Sequence, residues 1–263
     1  MHKKTPLLLR AIRLLGLSWY LLSGIIQSFV YPHVSVHCQR RMMKKWASGL
    51  LRVLNIKLRC HGKAPGIEIP RVLLVANHVS WLDICVLMAV CPTRFVAKSE
   101  IATWPLLGLL CKNTGTLFIK RAKRNDTTRI NQEIVDVLEA GERVALFPEG
   151  TTADGTYLNH FHASLLQSAV IADALVYPVS IGYKNGNDGV CLEAAYMDPS
   201  LALSLQQILT QTQINTDLFF GEPIPSGMKN RRELARMIET TIAQTLSLPI
   251  RHKQLETTLG LPI

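Results

Sequence analysis

Beyond residue 70 the chain alternates short, nearly continuous apolar runs with stretches whose apolar residues recur every three or four positions. RVLLVA (71–76), RFVAK (94–98), GTLFIKR (115–121), RVALFPE (143–149), ALVYPVSIGY (174–183) and DLFFGEPI (217–224) read as strands. Several lack a polar face, as strands covered on both sides do. Residues 80–90 and 104–112 read as helices. So does NDTTRINQEIVDVLEAG (125–141), where Asp126 to Thr128 offer an N-cap, Ile130, Ile134, Val137 and Leu138 form one stripe, and Gly141 follows as a C′ residue. A last helix covers 229–246. This order predicts an α/β fold, a mixed, largely parallel sheet covered by helices.

The first part of the chain follows a different pattern. LLGLSWYLLSGIIQSFVY (14–31) carries no charge over 18 residues, the length of a minimal membrane span. The run is longer than the apolar core of a signal peptide, and no A-x-A site follows it. Bases flank it on both sides, so the positive-inside rule gives it no orientation. That symmetry suits a helical hairpin or in-plane helix held to one leaflet, and leaves spanning open. A buried core helix is the alternative.

Charge divides the chain in the same place. The formal net charge is +10, yet residues 1–67 hold twelve Lys or Arg and no acid, while the rest holds seventeen bases against nineteen acids. The expected organisation is a basic, apolar, membrane-associating arm over 1–67 and an α/β domain over 68–263. The arm lacks zinc-ligand spacing and RNP-like aromatic residues, which argues against nucleic acid as its partner and for an anionic lipid surface. The six cysteines form no C-x-x-C pair and several sit inside apolar runs, so they read as small buried hydrophobes in a reducing compartment.

In sheets of this kind the chemistry gathers at the strand C-termini. RVLLVA ends at Asn77-His78, and a helix is predicted to begin near Ser80. Across that turn Asp83 is close enough to hold one ring nitrogen of His78 and leave the other free as a base. By itself the spacing is weak, since a lone histidine is more often structural. Its company is informative: Arg121 ends one strand, Glu149, Gly150 and Thr151 follow another, and Pro178 interrupts a third. His160 and His162 in LNHFH have i, i+2 spacing with no further ligand cluster in the sequence, so no metal is expected there.

These blocks resemble the glycerolipid acyltransferase family that includes 1-acylglycerol-3-phosphate acyltransferases. NHVSWLD (77–83) resembles its N-H-x-S-x-x-D block, GTLFIKR (115–121) its G-x-x-F-x-x-R block, FPEGT (147–151) its third block and VYPVSI (176–181) its proline block. RFVAKSEI (94–101) is similar to its AK-x-E stretch, followed by Pro105 and Gly108. All occur in the family's order, over roughly residues 70–225.

The resemblance implies an enzyme in which His78 is the general base on an acceptor hydroxyl and Asp83 orients it. It implies that Arg121, with Gly115 and Phe118 shaping its loop, binds the acceptor's acidic head. Glu149, Gly150 and Thr151 would hold the glycerol or its equivalent, and Lys98 would add a second cation. The donor would be acyl-CoA or acyl-carrier protein, with no further cofactor, no metal and no acyl-enzyme. The first acceptor it implies is 1-acyl-sn-glycerol-3-phosphate, giving phosphatidic acid, with membrane lipids as surroundings and the cytoplasmic face of a bacterial inner membrane as location.

Two positions differ from many phosphatidic acid-forming members. Thr152 stands where an arginine is common, and His162 where a lysine is common. The EGT-T-x-D-G form is similar to that of bacterial relatives acylating lyso-ornithine lipid, which makes that lipid the second acceptor reading. Two readings of another class are a serine hydrolase using Ser80 or Ser180 with His78, and a non-catalytic lipid-binding protein.

Overall fold

The computed structural model describes residues 4–120, 124–197 and 200–252. In chain order its elements are α1 (Leu7–Val30), α2 (Val36–Val53), β1 (Ile56–His61), β2 (Val72–Ala76), α3 (Leu82–Val90), β3 (Arg94–Lys98), α4 (Leu107–Asn113), β4 (Leu117–Ile119) and α5 (Arg124–Glu139). There follow β5 (Arg143–Leu146), α6 (Gln167–Ala172), β6 (Leu175–Lys184), α7 (Leu201–Thr210), β7 (Ile214–Phe220), β8 (Ile224–Pro225) and α8 (Arg231–Leu246).

The densest apolar runs form the centre of the sheet. Every residue of β2 and of β5 is buried, and only a strand with both faces covered has use for such a sequence. The sheet order is β1-β7-β6-β2-β5-β3-β4, with β8 beside β6. From β4 through β3, β5 and β2 to β6 the strands run parallel. β7 pairs antiparallel to β6, and β1 pairs parallel to β7. The sheet is mixed and largely parallel, as the alternation predicts. Val72, Leu74 and Ala76 face a core shared with α2 and α3, whereas Leu73 and Val75 face a second core built from α5, α6 and α8.

Some boundaries differ for physical reasons. The run at 143–149 stops as a strand at Leu146, because Pro148 has no N–H for a ladder. The run at 217–224 begins earlier, at Ile214, and breaks after Phe220 before Ile224 pairs separately with β6. Charged alternation in IKLRCH conceals β1, which is an exposed sheet edge rather than a central strand.

The basic arm is packed into this architecture. Met43, Trp46, Ala47, Leu50 and Leu51 of α2 and Ile56 of β1 join the first core. α1 lies back along α2: Trp46 donates its Nε1–H to the Tyr20 carbonyl at 2.7 Å, and a Cβ on Gly24 would come within 2.7 Å of that indole nitrogen. At one end of α1, Arg13 donates to the carbonyls of Gln211 and Thr212 at 2.7 and 2.9 Å, just past the C-terminus of α7. At the other end Asn113, closing α4, donates to the Ser28 hydroxyl at 2.9 Å. The remaining face of α1 is apolar and open, with Leu15 71%, Trp19 67% and Ile26 60% exposed.

Candidate active site

β2 delivers Asn77 and His78 to the C-terminal edge of the parallel strands. Asn77 is buried and continues the pairing with β6 through its side chain: Nδ2 donates to the Ile181 carbonyl at 2.9 Å, and Oδ1 accepts from the Ile181 N–H at 2.7 Å. The chain can therefore leave the ladder and turn at His78 without stranding a buried polar group.

Asp83, in the first turn of α3, reaches back across that turn. Its Oδ2 lies 2.7 Å from Nδ1 of His78 and also accepts the N–H groups of Val79 and Ser80 at 2.8 and 2.9 Å. Its Oδ1 accepts the Tyr183 hydroxyl at 2.6 Å. Every partner treats the carboxylate as an acceptor, so the imidazole must donate from Nδ1 and carries its lone pair on Nε2. Burial first, and then the neighbouring Asp83 charge and hydrogen bond, push the Tyr183 phenol well above its ordinary value, which keeps its proton available for Asp83. Asp83 is completely buried while the His78 side chain keeps 21% exposure. The ring stacks on Phe147 with centroids 4.2 Å apart, and Phe147 stacks in turn on Phe95 at 6.1 Å. The imidazole is thus fixed in orientation, shielded on one side and accessible.

The turn after β5 closes on His78 from the other side. Glu149 Oε1 accepts the His78 N–H at 2.7 Å, and Oε2 accepts the Asn159 N–H at 2.8 Å. Burial raises the Glu149 carboxyl to about 7, against the opposing pull of those hydrogen bonds. The Ala153 N–H donates to the His78 carbonyl at 2.8 Å, and the Thr152 hydroxyl donates to the Tyr196 carbonyl. Gly150 makes this turn with a φ of +74°, where a side chain would strain the backbone.

The residues singled out from the sequence separate into groups. His78, Asp83, Glu149, Gly150 and Thr151 come together, with Thr151 exposed and both Glu149 oxygens engaged by backbone donors. Lys98 ends β3 at the same edge of the sheet and is exposed. Phe118 is mid-strand in β4, opposite Ala97, and its carbonyl accepts from Arg129 at 2.9 Å. Gly115 precedes β4 and so lies at the opposite end of that strand, where an added Cβ would meet the Arg94 guanidinium at 3.0 Å. Arg121 lies outside the described residues.

The serines proposed for a hydrolase do not pair with the base. Ser80 is fully buried, and its Oγ has no hydrogen-bond partner. Ser180 is buried within β6. All six cysteines are free; burial, aided by Asp83, pushes the Cys85 thiol up to about 12, which makes it unreactive. Sequence reasoning missed Asn77, Tyr183 and Phe147 as supports of the imidazole. Phe147 lay inside a recognised block, but no local pattern connects Tyr183 to Asp83.

Residues 57–182, which contain His78, Asp83, Lys98, Gly115, Phe118, Arg121, Glu149, Gly150 and Thr151 and stop one residue short of Tyr183, match the family described as Acyltransferase. The chain is similar to the lyso-ornithine lipid O-acyltransferase of Pseudomonas aeruginosa, at 37% identity over 251 residues covering 91% of this chain and 93% of that protein. It is similar to the 1-acyl-sn-glycerol-3-phosphate acyltransferase of Neisseria meningitidis serogroup B, at 38% identity over 183 residues covering 69% of this chain and 71% of that protein. Among solved structures, the 1-acyl-sn-glycerophosphate acyltransferase of Thermotoga maritima shares the fold with a TM-score of 0.69, over 92% of this chain and 94% of that one, at 21% identity.

Proposed function

The chain belongs to the acyltransferase family, and we propose that it moves a fatty acyl group from a thioester to the free hydroxyl of a membrane lyso-lipid, with His78 as general base. The observation that carries this reading is the 2.7 Å contact of His78 Nδ1 with Asp83 Oδ2, which leaves Nε2 as the one basic atom directed away from its support. Nε2 takes the hydroxyl proton as the oxygen attacks the thioester carbonyl. The tetrahedral intermediate then expels the thiolate, which takes that proton from the imidazolium. One C–O bond forms, one C–S bond breaks, and no acyl group rests on the protein. Asp83 holds the ring and stabilises the charge it acquires.

Acyl-CoA or acyl-carrier protein is the proposed donor, and no cofactor takes part in this step. Arg121, Lys98, Gly150 and Thr151 are the proposed acceptor contacts, and Glu149 positions the turn that carries His78. The first acceptor is 1-acyl-sn-glycerol-3-phosphate, as the four sequence blocks imply. A second reading, lyso-ornithine lipid, is favoured by Thr152 and by the near end-to-end similarity to an enzyme named for that lipid.

The proposed membrane association is supported by α1, which is long and apolar enough to cross a bilayer. Its contacts with α2, α4 and the end of α7 favour a helix lying in one leaflet, because a spanning helix would have to give up those contacts. The flanking bases would meet anionic lipid on the cytoplasmic face of a bacterial inner membrane.

The test is the purified full chain with an acyl thioester and a panel of lyso-lipids, read by mass spectrometry. An acylated lipid and one free thiol per turnover are expected. A stable acyl-protein adduct, release of free fatty acid alone, or lipid binding without turnover would sink the reading.

A further inference from the structure

His160, Glu239 and His252 converge from three separate segments. His160 follows Asn159 on the loop that holds Glu149, Glu239 projects from the buried face of α8, and His252 lies past that helix. Glu239 is only 2% exposed. Its Oε1 accepts the Phe161 N–H at 2.9 Å and lies 3.4 Å from Nδ1 of His160, while its Oε2 lies 3.9 Å from Nε2 of His252. The three ligand atoms all fall within 4.8 Å of one another. The imidazoles of His160 and His252 meet edge to face with centroids 4.7 Å apart, and Nδ1 of His252 is buried without a hydrogen-bond partner.

These separations are long for hydrogen bonds, which place N and O about 2.7–3.2 Å apart. They suit ligands around a shared ion better. A tetrahedral cation with N and O ligands at about 2.0–2.1 Å holds those atoms roughly 3.3–3.4 Å from each other. Nδ1 of His160 already stands at that distance from Oε1, whereas Nε2 of His252 faces the other oxygen, Oε2, at 3.9 Å, so the three ligand atoms, spread within 4.8 Å, draw together around the ion. Imidazole donors select a transition ion over magnesium or calcium, which prefer oxygen.

We propose that His160, Glu239 and His252 form a binding site for a divalent metal ion of the zinc class. The His2Glu set leaves a fourth position for water. The ion ties α8 and the segment following it to the loop whose Asn159 N–H holds Glu149, so the site braces the turn behind His78.

The full chain, purified in detergent and stripped with EDTA, is titrated with Co(II) and read by visible absorption. Bound Zn(II) is measured separately by mass spectrometry after desalting. One ion per chain is expected, with the four-coordinate Co(II) spectrum. The melting temperature should rise by roughly 5–10 °C at about a hundredfold excess of zinc over Kd. His160→Ala and His252→Ala should each weaken binding at least about tenfold, whereas His162→Ala, whose ring lies edge-on to His160 at 5.5 Å, should not. The His160 side chain is 55% exposed, so His160→Ala should melt with the wild type when both are metal-free. The proposal is overturned if the wild type binds no more metal than the His160→Ala/His252→Ala double variant, or if zinc leaves its melting temperature unchanged. Equal Co(II) spectra in the wild type and that double variant would overturn it as well.

Discussion

The Tyr183 hydroxyl lies 2.6 Å from Oδ1 of Asp83, so a carboxylate placed by a local turn is held by a strand one hundred residues further along the chain. Its other oxygen then has one role left, to fix the ring of His78 together with two backbone N–H groups.

That relationship orders three substitutions. His78→Ala removes the base and should lower kcat by a factor on the order of 10²–10⁴ while leaving the melt and membrane binding intact. Asp83→Asn turns an amide N–H toward groups that themselves donate, and should lose both activity and stability. Tyr183→Phe leaves Oδ1 buried and unpaired, at a stability cost of about 1–3 kcal/mol, with a smaller loss of kcat than His78→Ala. Steady-state kinetics and thermal melts check the order. Full turnover in His78→Ala would make the imidazole structural.

Glu149 should make stability depend on pH. Its folded value, about 7, lies above the ordinary 4.5, so the folded protein keeps a proton that the unfolded chain releases. The stabilisation of that protonated form is complete below about 4.5 and is lost as pH rises through about 7. Relative to Glu149→Gln, the wild type should therefore lose stability across that window, by at most about 1.4 kcal/mol per pH unit. Melts of both proteins at several pH values read the difference; a gap that does not move with pH would remove Glu149 as its cause.

The open face of α1 predicts how the protein holds lipid. Trp19, Leu22 and Ile26 are 67%, 52% and 60% exposed, and the body does not need them for its core. Burying a large apolar side chain contributes about 1.5–3 kcal/mol. The triple variant Trp19→Ser, Leu22→Ser, Ile26→Ser should therefore bind anionic vesicles at least about tenfold more weakly, with its fold intact. Unchanged cosedimentation would shift the contact to Trp104 and Leu106, which are 40% and 64% exposed.

Arg121 and Thr152 test the acceptor. Arg121→Ala should raise KM for the lyso-lipid at least about tenfold and leave KM for the thioester nearly unchanged, since a guanidinium contact to an acidic head is not replaced by water. Thr152→Arg should raise kcat/KM for 1-acyl-sn-glycerol-3-phosphate relative to lyso-ornithine lipid. Because the Thr152 hydroxyl also donates to the Tyr196 carbonyl, Thr152→Val controls for losing that bond. A ratio moving the opposite way would place the head group elsewhere.

The sequence alone determined the elements whose burial has a period and the contacts that a short turn can close. β2 and β5 were legible because strands covered on both faces need unbroken apolar runs, and His78 with Asp83 because five residues across a strand-to-helix turn bring them together. The tertiary structure decided everything set by sheet order and register. It brought Tyr183 beneath Asp83, turned both oxygens of Glu149 onto backbone N–H groups, and left Gly115 at the opposite end of β4. It also gathered His160 with Glu239 and His252, and laid α1 along the body. Pairings over such separations leave no spacing in the chain. They depend on which faces meet once both cores close, and an apolar pattern specifies that a face is buried without specifying its partner.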